Sequence, residues 1–472
     1  MKTIGVTVMP EWFQSEGIEP VLDRLQAIGV TAITTSPCVL EACPEGEGSR
    51  EPPGDAGSGK VRVLDRALWG KQELWMKVAP AFIADMSLYQ GLRYQPAEPT
   101  DLTHAEGHVV DDAIKAIRAR GMRVELQVQA AIPPGYKVQF GGPREEDHPR
   151  LPDGSLAIER VDKNGSLASP HIVDYGCALL QDIVRHYPGI DAIRLDWPEY
   201  PPYSLESWFF DFSEMAMQRG TEWGFAMDAI RRECDEARQA LLGKLDNRHL
   251  EIALAGDGGL SALGALLVSY PALAELMKLK ARLASSMLNT YGGTVREASG
   301  GTIGLVAHSF PPPWHLLSGL DPAQLQPPVE GIGFKLYTMH WAMMLQGYHD
   351  QLMTHNPALD RELLAKALIH IFDIADRGDN ASLADLHYPE PDDNHLAGRE
   401  AMKRKIAIAR NATPATIQVA TMSHAYGPVD DFAARFAVAL DAPGEAVWVN
   451  RYGYLSDAKL NAVAAALDAA PG

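Results

Sequence analysis

Eight short apolar runs recur along this chain, and most are separated by stretches whose apolar residues return at helical spacing. The runs fall at residues 4–9, 32–36, 123–129, 192–196, 303–308, 332–338, 417–422 and 447–450. Few folds accept this order. A strand followed by a crossover helix and another strand joins parallel neighbours, and eight such units close a sheet on itself. The helical patterns lie at 19–28, 109–120, 172–186, 221–242, 263–288, 340–353, 361–375, 400–409 and 429–439. Segment 249–255 is read as helix, because its Leu, Glu and Ala favour one and a strand there would make nine. The expectation is an α/β protein, a single (β/α)8 TIM barrel over residues 1–472. Long insertions on its C-terminal rim are expected near 44–100, 130–170, 200–300 and 342–412. No linker divides the chain and no fixed period repeats along it. Segment 44–60, rich in Gly, Pro and Glu, reads as a mobile rim loop with little to bury.

Composition narrows the partners. A net charge of −19 disfavours phosphate backbones and anionic membranes, so neither nucleic acid nor membrane is expected. No apolar run approaches the ~18 residues of a membrane span. The first residues enter a strand directly, without the apolar segment and small-residue cleavage site of a signal peptide. Cys38, Cys43, Cys177 and Cys234 are too few and scattered for a disulfide framework and form no Cys-x-x-Cys pair. A cytoplasmic protein with reduced thiols fits best, and a homo-oligomer is compatible with these features.

In such a barrel the chemistry gathers at the C-terminal strand ends. Here those ends are polar and aromatic, and the fourth run is the richest: Asp191-Ala-Ile-Arg-Leu-Asp-Trp-Pro-Glu-Tyr200. Side chains alternate along a strand, so Arg194 and Asp196 share one face. A carboxylate at a strand mouth, near a cation and followed by Trp197, suits sugar cleavage. The cation keeps the acid ionised as a nucleophile or charge stabiliser, and the indole stacks on a pyranose. Glu199, among Trp, Tyr and Pro, is the candidate general acid, because desolvation raises a carboxyl. Rival acids are Glu11, Asp147 and Glu390, the last in an insertion placed to fold over the rim. By strand parity Glu125, Arg194 and Lys335 share the lumen as a charge network, in which Glu125 is structural. Trp12, Trp197, Trp314, Trp341, Tyr337 and Tyr426 are candidate stacking walls. His308, His340 and His424 are candidate donors to hydroxyls, with Gln129, Lys335 and Arg451 as further binding residues. No His-x-His or His-Glu-x-x-His spacing supports a metal and no glycine-rich phosphate loop is present, so no metal or cofactor is expected.

The element Asp191-Ala-Ile-Arg-Leu-Asp196 resembles the fourth-strand Gly-Phe-Arg-x-Asp element of the alpha-amylase superfamily, with Arg194 and Asp196 at the matching positions. That resemblance implies a nucleophilic role for Asp196. It stops there, because the third run reads Gln127-Val-Gln129-Ala-Ala-Ile-Pro-Pro134 where that superfamily has Asp-x-x-x-x-Asn-His. About half of the chain is similar to the uncharacterised glycoside-hydrolase-like barrel families of bacteria. The likeness is carried by Gly189-Ile-Asp-Ala-Ile-Arg-Leu-Asp-Trp-Pro-Glu-Tyr200, Gly121-Met-Arg-Val-Glu-Leu-Gln-Val-Gln129 and Asn164-Gly-Ser-Leu-Ala-Ser-Pro170. It implies a carbohydrate-active barrel.

Together these features lead to the expectation of a glycosidase, an O-glycosyl hydrolase of carbohydrate metabolism. It would act on a small glycoside or oligosaccharide, in exo mode, because a cytoplasmic enzyme meets sugars already trimmed. The alternatives are a metal-dependent sugar isomerase, epimerase or lyase, with His308, His340 and His424 as ligands, and a carbohydrate-binding barrel without turnover.

Overall fold

The computed structural model describes residues 2–53, 62–137, 140–157, 163–254, 260–376 and 380–469. The strands in chain order are β1 (Thr3–Thr7), β2 (Ala32–Thr35), β3 (Cys38–Cys43), β4 (Ser49–Glu51), β5 (Leu74–Pro80), β6 (Arg123–Gln129), β7 (Ala192–Asp196), β8 (Gly304–Ser309), β9 (Val329–Leu336), β10 (Gln418–His424) and β11 (Ala446–Asn450). Eight of them close a barrel in the order β1-β11-β10-β9-β8-β7-β6-β2, and every pairing is parallel. These eight are the runs expected from the sequence. The crossover helices match as well, among them Ile18–Ala27, His108–Ala119, Pro170–His186, Thr338–His355 and Val429–Asp441. Segment 249–255 carries the helix Asn247–Ala253, started by the Asp246 side chain accepting from the His249 N–H. The pattern at 263–288 is two helices, Leu260–Ser269 and Ala272–Ala298, interrupted at Pro271, whose ring cannot continue an α-helix from the preceding turn. Among the described residues no single helix is long and apolar enough to cross a membrane.

The expected rim loop is a correction. Residues 44–51 join and include strands of a three-stranded antiparallel sheet, ordered β3-β5-β4, that rises directly from β2. Residues 54–60 of that segment lie outside the described ones. What makes it a sheet is burial near its base: Val39 and Ala79 on one face and Leu40, Leu74 and Met76 on the other all join the core. Gly48 permits the turn, for it adopts φ +71° and a Cβ there would meet the Met76 carbonyl oxygen at 2.2 Å.

The lumen is filled across its width. Trp448 of β11 lies with its ring 3.6 Å from the Arg194 guanidinium of β7, on the opposite wall. Its indole occupies the space in front of Gly5 on β1, where a Cβ would fall 2.2 Å from the ring. Glycine at position 5 is therefore a packing requirement. Gly5→Ala is expected to destabilise the barrel by about 1–3 kcal/mol, the usual scale of overpacking, in a urea titration. An unchanged midpoint would show that Trp448 can retreat.

Candidate active site

Asp196 stands at the C-terminal end of β7, with its side chain 17 % exposed at the barrel mouth. Its two oxygens are treated differently. Oδ1 receives the Lys335 ammonium at 2.6 Å, His308 Nδ1 at 3.3 Å and the Trp197 backbone N–H at 3.2 Å. Among the described residues no hydrogen bond reaches Oδ2. Burial alone would raise this carboxyl, but Lys335 and His308 outweigh it and hold the group well below the usual carboxylate range. The chain then turns at Trp197 through φ 51°, a left-handed conformation that is costly for a bulky residue. The turn brings the indole to 5.5 Å from Lys335 Nζ.

This arrangement corrects the expected charge network. Arg194 is not the cation that ionises Asp196. It sits one step lower on the same face, with Nε 2.8 Å from Glu125 Oε2, while Arg123 takes the other Glu125 oxygen at 2.9 Å. Lys335 belongs to the tier above with Asp196, not with Glu125. Parity placed all three side chains in the lumen correctly. It could not rank them by height, because closing a barrel staggers neighbouring strands.

His308 is completely buried, and desolvation pushes it down to about 4. At neutral pH it is an uncharged imidazole. An ionised Asp196 can only accept, so Nδ1 carries the proton and Nε2 is a bare acceptor. Nε2 is buried without a hydrogen-bond partner.

Aromatic side chains line the mouth beside Asp196. Tyr203 packs edge-on against Trp197, Phe310 and His340, at centroid distances of 5.9, 5.4 and 5.8 Å. Tyr337 stands 6.0 Å from His340 and 5.2 Å from His424. The segment carrying Glu390 does fold over this rim. The Tyr426 hydroxyl donates to the Pro389 carbonyl at 3.0 Å, Tyr388 lies 5.6 Å from Tyr426, and Glu390 is exposed. His424 is buried between the Tyr426 N–H, which donates to Nδ1 at 3.1 Å, and Arg62, whose Nη1 is 3.3 Å from Nε2.

Other expected site residues lie elsewhere. Trp314 is fully buried in the outer layer. It stacks on Phe372 at 5.1 Å, with Trp341 at 5.9 Å and Lys405 Nζ 5.0 Å over its ring. Trp12 is buried edge-on to Tyr452 at 5.5 Å. Trp12, Trp314 and Trp341 are core, because helices pack over the strand ends from which they were read. Arg451 pairs with Glu51 of β4, and Lys137 bridges Glu51 at 3.1 Å and Glu11 at 3.4 Å. These pairs fasten the antiparallel sheet to the barrel. Asp147 is spent on Arg93, Tyr94 and Ser169, at 2.8, 2.6 and 2.7 Å. Gln129 stands beside Asp196 in the register of β6 and β7, with its buried Oε1 unbonded.

Glu199 lies behind the mouth. It is wholly buried, with Oε1 accepting from the Phe310 N–H at 3.1 Å and Oε2 from Ser318 and Ser309 at 2.5 and 3.3 Å. Desolvation pushes it up to about 7 despite those donors. Sequence alone suggested the raised value. It missed the serines, which are distant in the chain, and with them the burial of both oxygens. Tyr203 and Phe310 were also missed as wall residues, although each belongs to a strand-end motif that could have signalled it. Among the described residues, no three His, Cys, Asp or Glu side chains stand together so as to hold a metal ion. A cavity of about 90 Å³ near Leu205, Arg238 and His355 lies in the outer layer and touches none of these groups.

No protein-family model matches the chain, and no curated protein does. Its solved structural neighbours are glycoside hydrolases. It is similar to the beta-galactosidase from the psychrophilic Marinomonas ef1, with a TM-score of 0.50 and 11 % identity, over 99 % of this chain and 59 % of that one. It is also similar to the catalytic domain of beta-amylase from Paenibacillus polymyxa, with a TM-score of 0.47 and 12 % identity over 99 % of each chain. A third is the PgaB (BpsB) glycoside hydrolase domain from Bordetella bronchiseptica, with a TM-score of 0.44 and 10 % identity over 98 % of each. At these identities the likeness is one of fold. The chain spans about three fifths of the galactosidase's length.

Proposed function

We propose that this barrel is a glycoside hydrolase that removes a terminal sugar from a small glycoside or oligosaccharide, with Asp196 as the group that meets the anomeric carbon. The supporting observation is the one-sided anchoring of that carboxylate. Three groups fix Oδ1, while Oδ2 is left for a reacting atom. A carboxylate held ionised and oriented in this way stabilises positive charge at an anomeric carbon, or attacks it. Tyr203, half-buried and held edge-on by Trp197 and Phe310, offers a ring against which a pyranose can pack. The added sheet reaches Arg451 beyond β11 through Glu51, and Pro389 is held by Tyr426 beyond β10, so extra segments stand on this arc of the rim, which suits a chain end better than the middle of a polymer. A panel of aryl glycosides and short oligosaccharides, followed by product chromatography, tests this reading. Release of single sugars from the end is expected, and no release from any member would overturn it.

Within this reading Glu199 is a positioning residue. It fixes Phe310 and Ser309, the residues that follow His308, and both its oxygens are occupied. The leaving-group proton comes instead from the exposed rim, where Glu390 is the nearest candidate in sequence to the docked Tyr388-Pro389. Glu390→Gln is expected to slow poor leaving groups most and activated aryl glycosides least, since the latter need little protonation. Glu199→Gln is expected to slow all of them alike. The opposite pattern would return the acid role to Glu199. A stability measurement accompanies it. A carboxyl raised in the folded state ionises first in the unfolded chain, so wild-type stability falls as pH rises from the unfolded value towards about 7. Glu199→Gln removes that loss, and its melting temperature relative to wild type should rise between about pH 5 and about pH 8.

A further inference from the structure

Four uncharged side chains that face the lumen carry buried polar atoms without a hydrogen-bond partner: Thr7 Oγ1, Thr34 Oγ1, Gln129 Oε1 and His308 Nε2. Each of the four residues is at least nine-tenths buried. Their orientation follows from the strands. Thr7 is two residues beyond Gly5, which faces Trp448 in the lumen, and Thr34 is two beyond Ala32, which packs on Trp448 and Met422. Thr7 and Thr34 are paired directly in the register of β1 and β2. His308 stands on β8, four strands from β1 in the closed order and so across the lumen from Thr7. Gln129 is the register partner of Asp196. Buried polar atoms ordinarily find partners, and these four stand on strands that share one lumen with Asp196, where a bound group can satisfy them.

We infer that Thr7, Thr34, Gln129 and His308 form the floor of the sugar subsite and select a neutral, polyhydroxylated terminal ring. The inference rests on the glycosidase reading. Its content is the match of donors and acceptors. Two threonine hydroxyls can each donate and accept. The Gln129 oxygen and the bare His308 nitrogen only accept. Vicinal sugar hydroxyls, each a donor and an acceptor, satisfy such a set. A uronic-acid carboxylate does not, for it would bring lone pairs against two acceptors. The nearby cations are already charge-balanced, Lys335 by Asp196 and Arg194 by Glu125, although Lys335 Nζ and Arg194 Nη1 each lack a hydrogen-bond partner. The two threonines lie on β1 and β2, far along the chain from the Arg-x-Asp element.

The test is calorimetry with three neutral 1,5-anhydroalditols, of gluco, galacto and manno configuration, and with a uronic-acid analogue of the same ring. It uses the full chain and the variants Thr7→Val and Thr34→Val, which keep the shape and remove the hydroxyl. At least one neutral probe is expected to bind wild type, and the uronic analogue at least about tenfold more weakly. Each variant should weaken the neutral probe by about tenfold, the effect of one hydrogen bond that the site is built to make. The melting temperature without sugar should stay level or rise in both variants, because an unbonded buried hydroxyl is removed. Variants that bind as wild type, or melt lower with binding intact, would overturn the inference and leave the glycosidase reading standing. Tighter binding of the uronic analogue would overturn the neutral-ring assignment. Failure of every probe to bind wild type, together with a silent glycoside panel, would overturn both.

Discussion

Asp196→Asn is expected to lower kcat by about 10³-fold or more on any glycoside the chain cleaves, the scale on which loss of a principal catalytic group is felt. The amide keeps the shape of the carboxylate but cannot carry the negative charge that an oxocarbenium-like transition state requires. Binding of a neutral sugar should be nearly retained. Lys335 complicates the reading in a useful way. Its ammonium lies 2.6 Å from Asp196 Oδ1, and the amide leaves that cation without a counter-charge. The variant should therefore also melt lower. Lys335→Met in the Asp196→Asn background should recover melting temperature without recovering turnover. Single-turnover rates on activated aryl glycosides, measured well below the melting temperature of each variant, make the comparison. Substantial activity in Asp196→Asn would remove the glycosidase reading altogether.

The second large effect is on stability. Arg194 is 1 % exposed, paired with Glu125 and covered by the Trp448 indole. Removing one member of a buried ion pair costs about 3–5 kcal/mol, because the remaining charge has lost its compensation. Arg194→Met should fall at the lower end of that range, since Arg123 stays on the other Glu125 oxygen at 2.9 Å. Arg194→Met combined with Glu125→Gln should regain part of the loss, because no buried charge is then stranded at that point. Urea titrations of the two single variants and the double variant give the coupling directly. A single variant with wild-type stability would mean that water reaches this tier.

All eight barrel strands were legible because each is buried on both faces and reads as an apolar run bounded by turns. The lumen face was legible from alternation alone, as Glu125, Arg194, Asp196 and Lys335 show. Height within the lumen was not, and the mistaken pairing of Lys335 with Glu125 came from that gap. The aromatic residues divided for another reason. Trp197 and Tyr337 lie at strand ends that open on the mouth. Trp314 follows a strand end too, but its chain turns back into a short helix, Trp314–Ser318, and buries the ring. Nothing local in the sequence separates those outcomes, because what covers Trp314 is Phe372, more than fifty residues on. The three-stranded sheet beside the supposed loop was hidden similarly. Its strands are short and interrupted by charges such as Glu41 and Lys77, which point outward.

The pairing of β1 with β11 bears on how this molecule comes into being. β1 leaves the ribosome well before β11, and one of its edges waits for Ala446–Asn450 before it is covered. Until then a nascent chain carries two bare edges, on β1 and on the last strand laid down. Such edges recruit strands from neighbouring chains. The mesh of contacts that closes the ring is long-range, so closure is late and slow compared with local helix formation. A premature stop before residue 446 should thus yield aggregates rather than a soluble fragment. Slower elongation or cooler expression should favour the intact product more than added stability does.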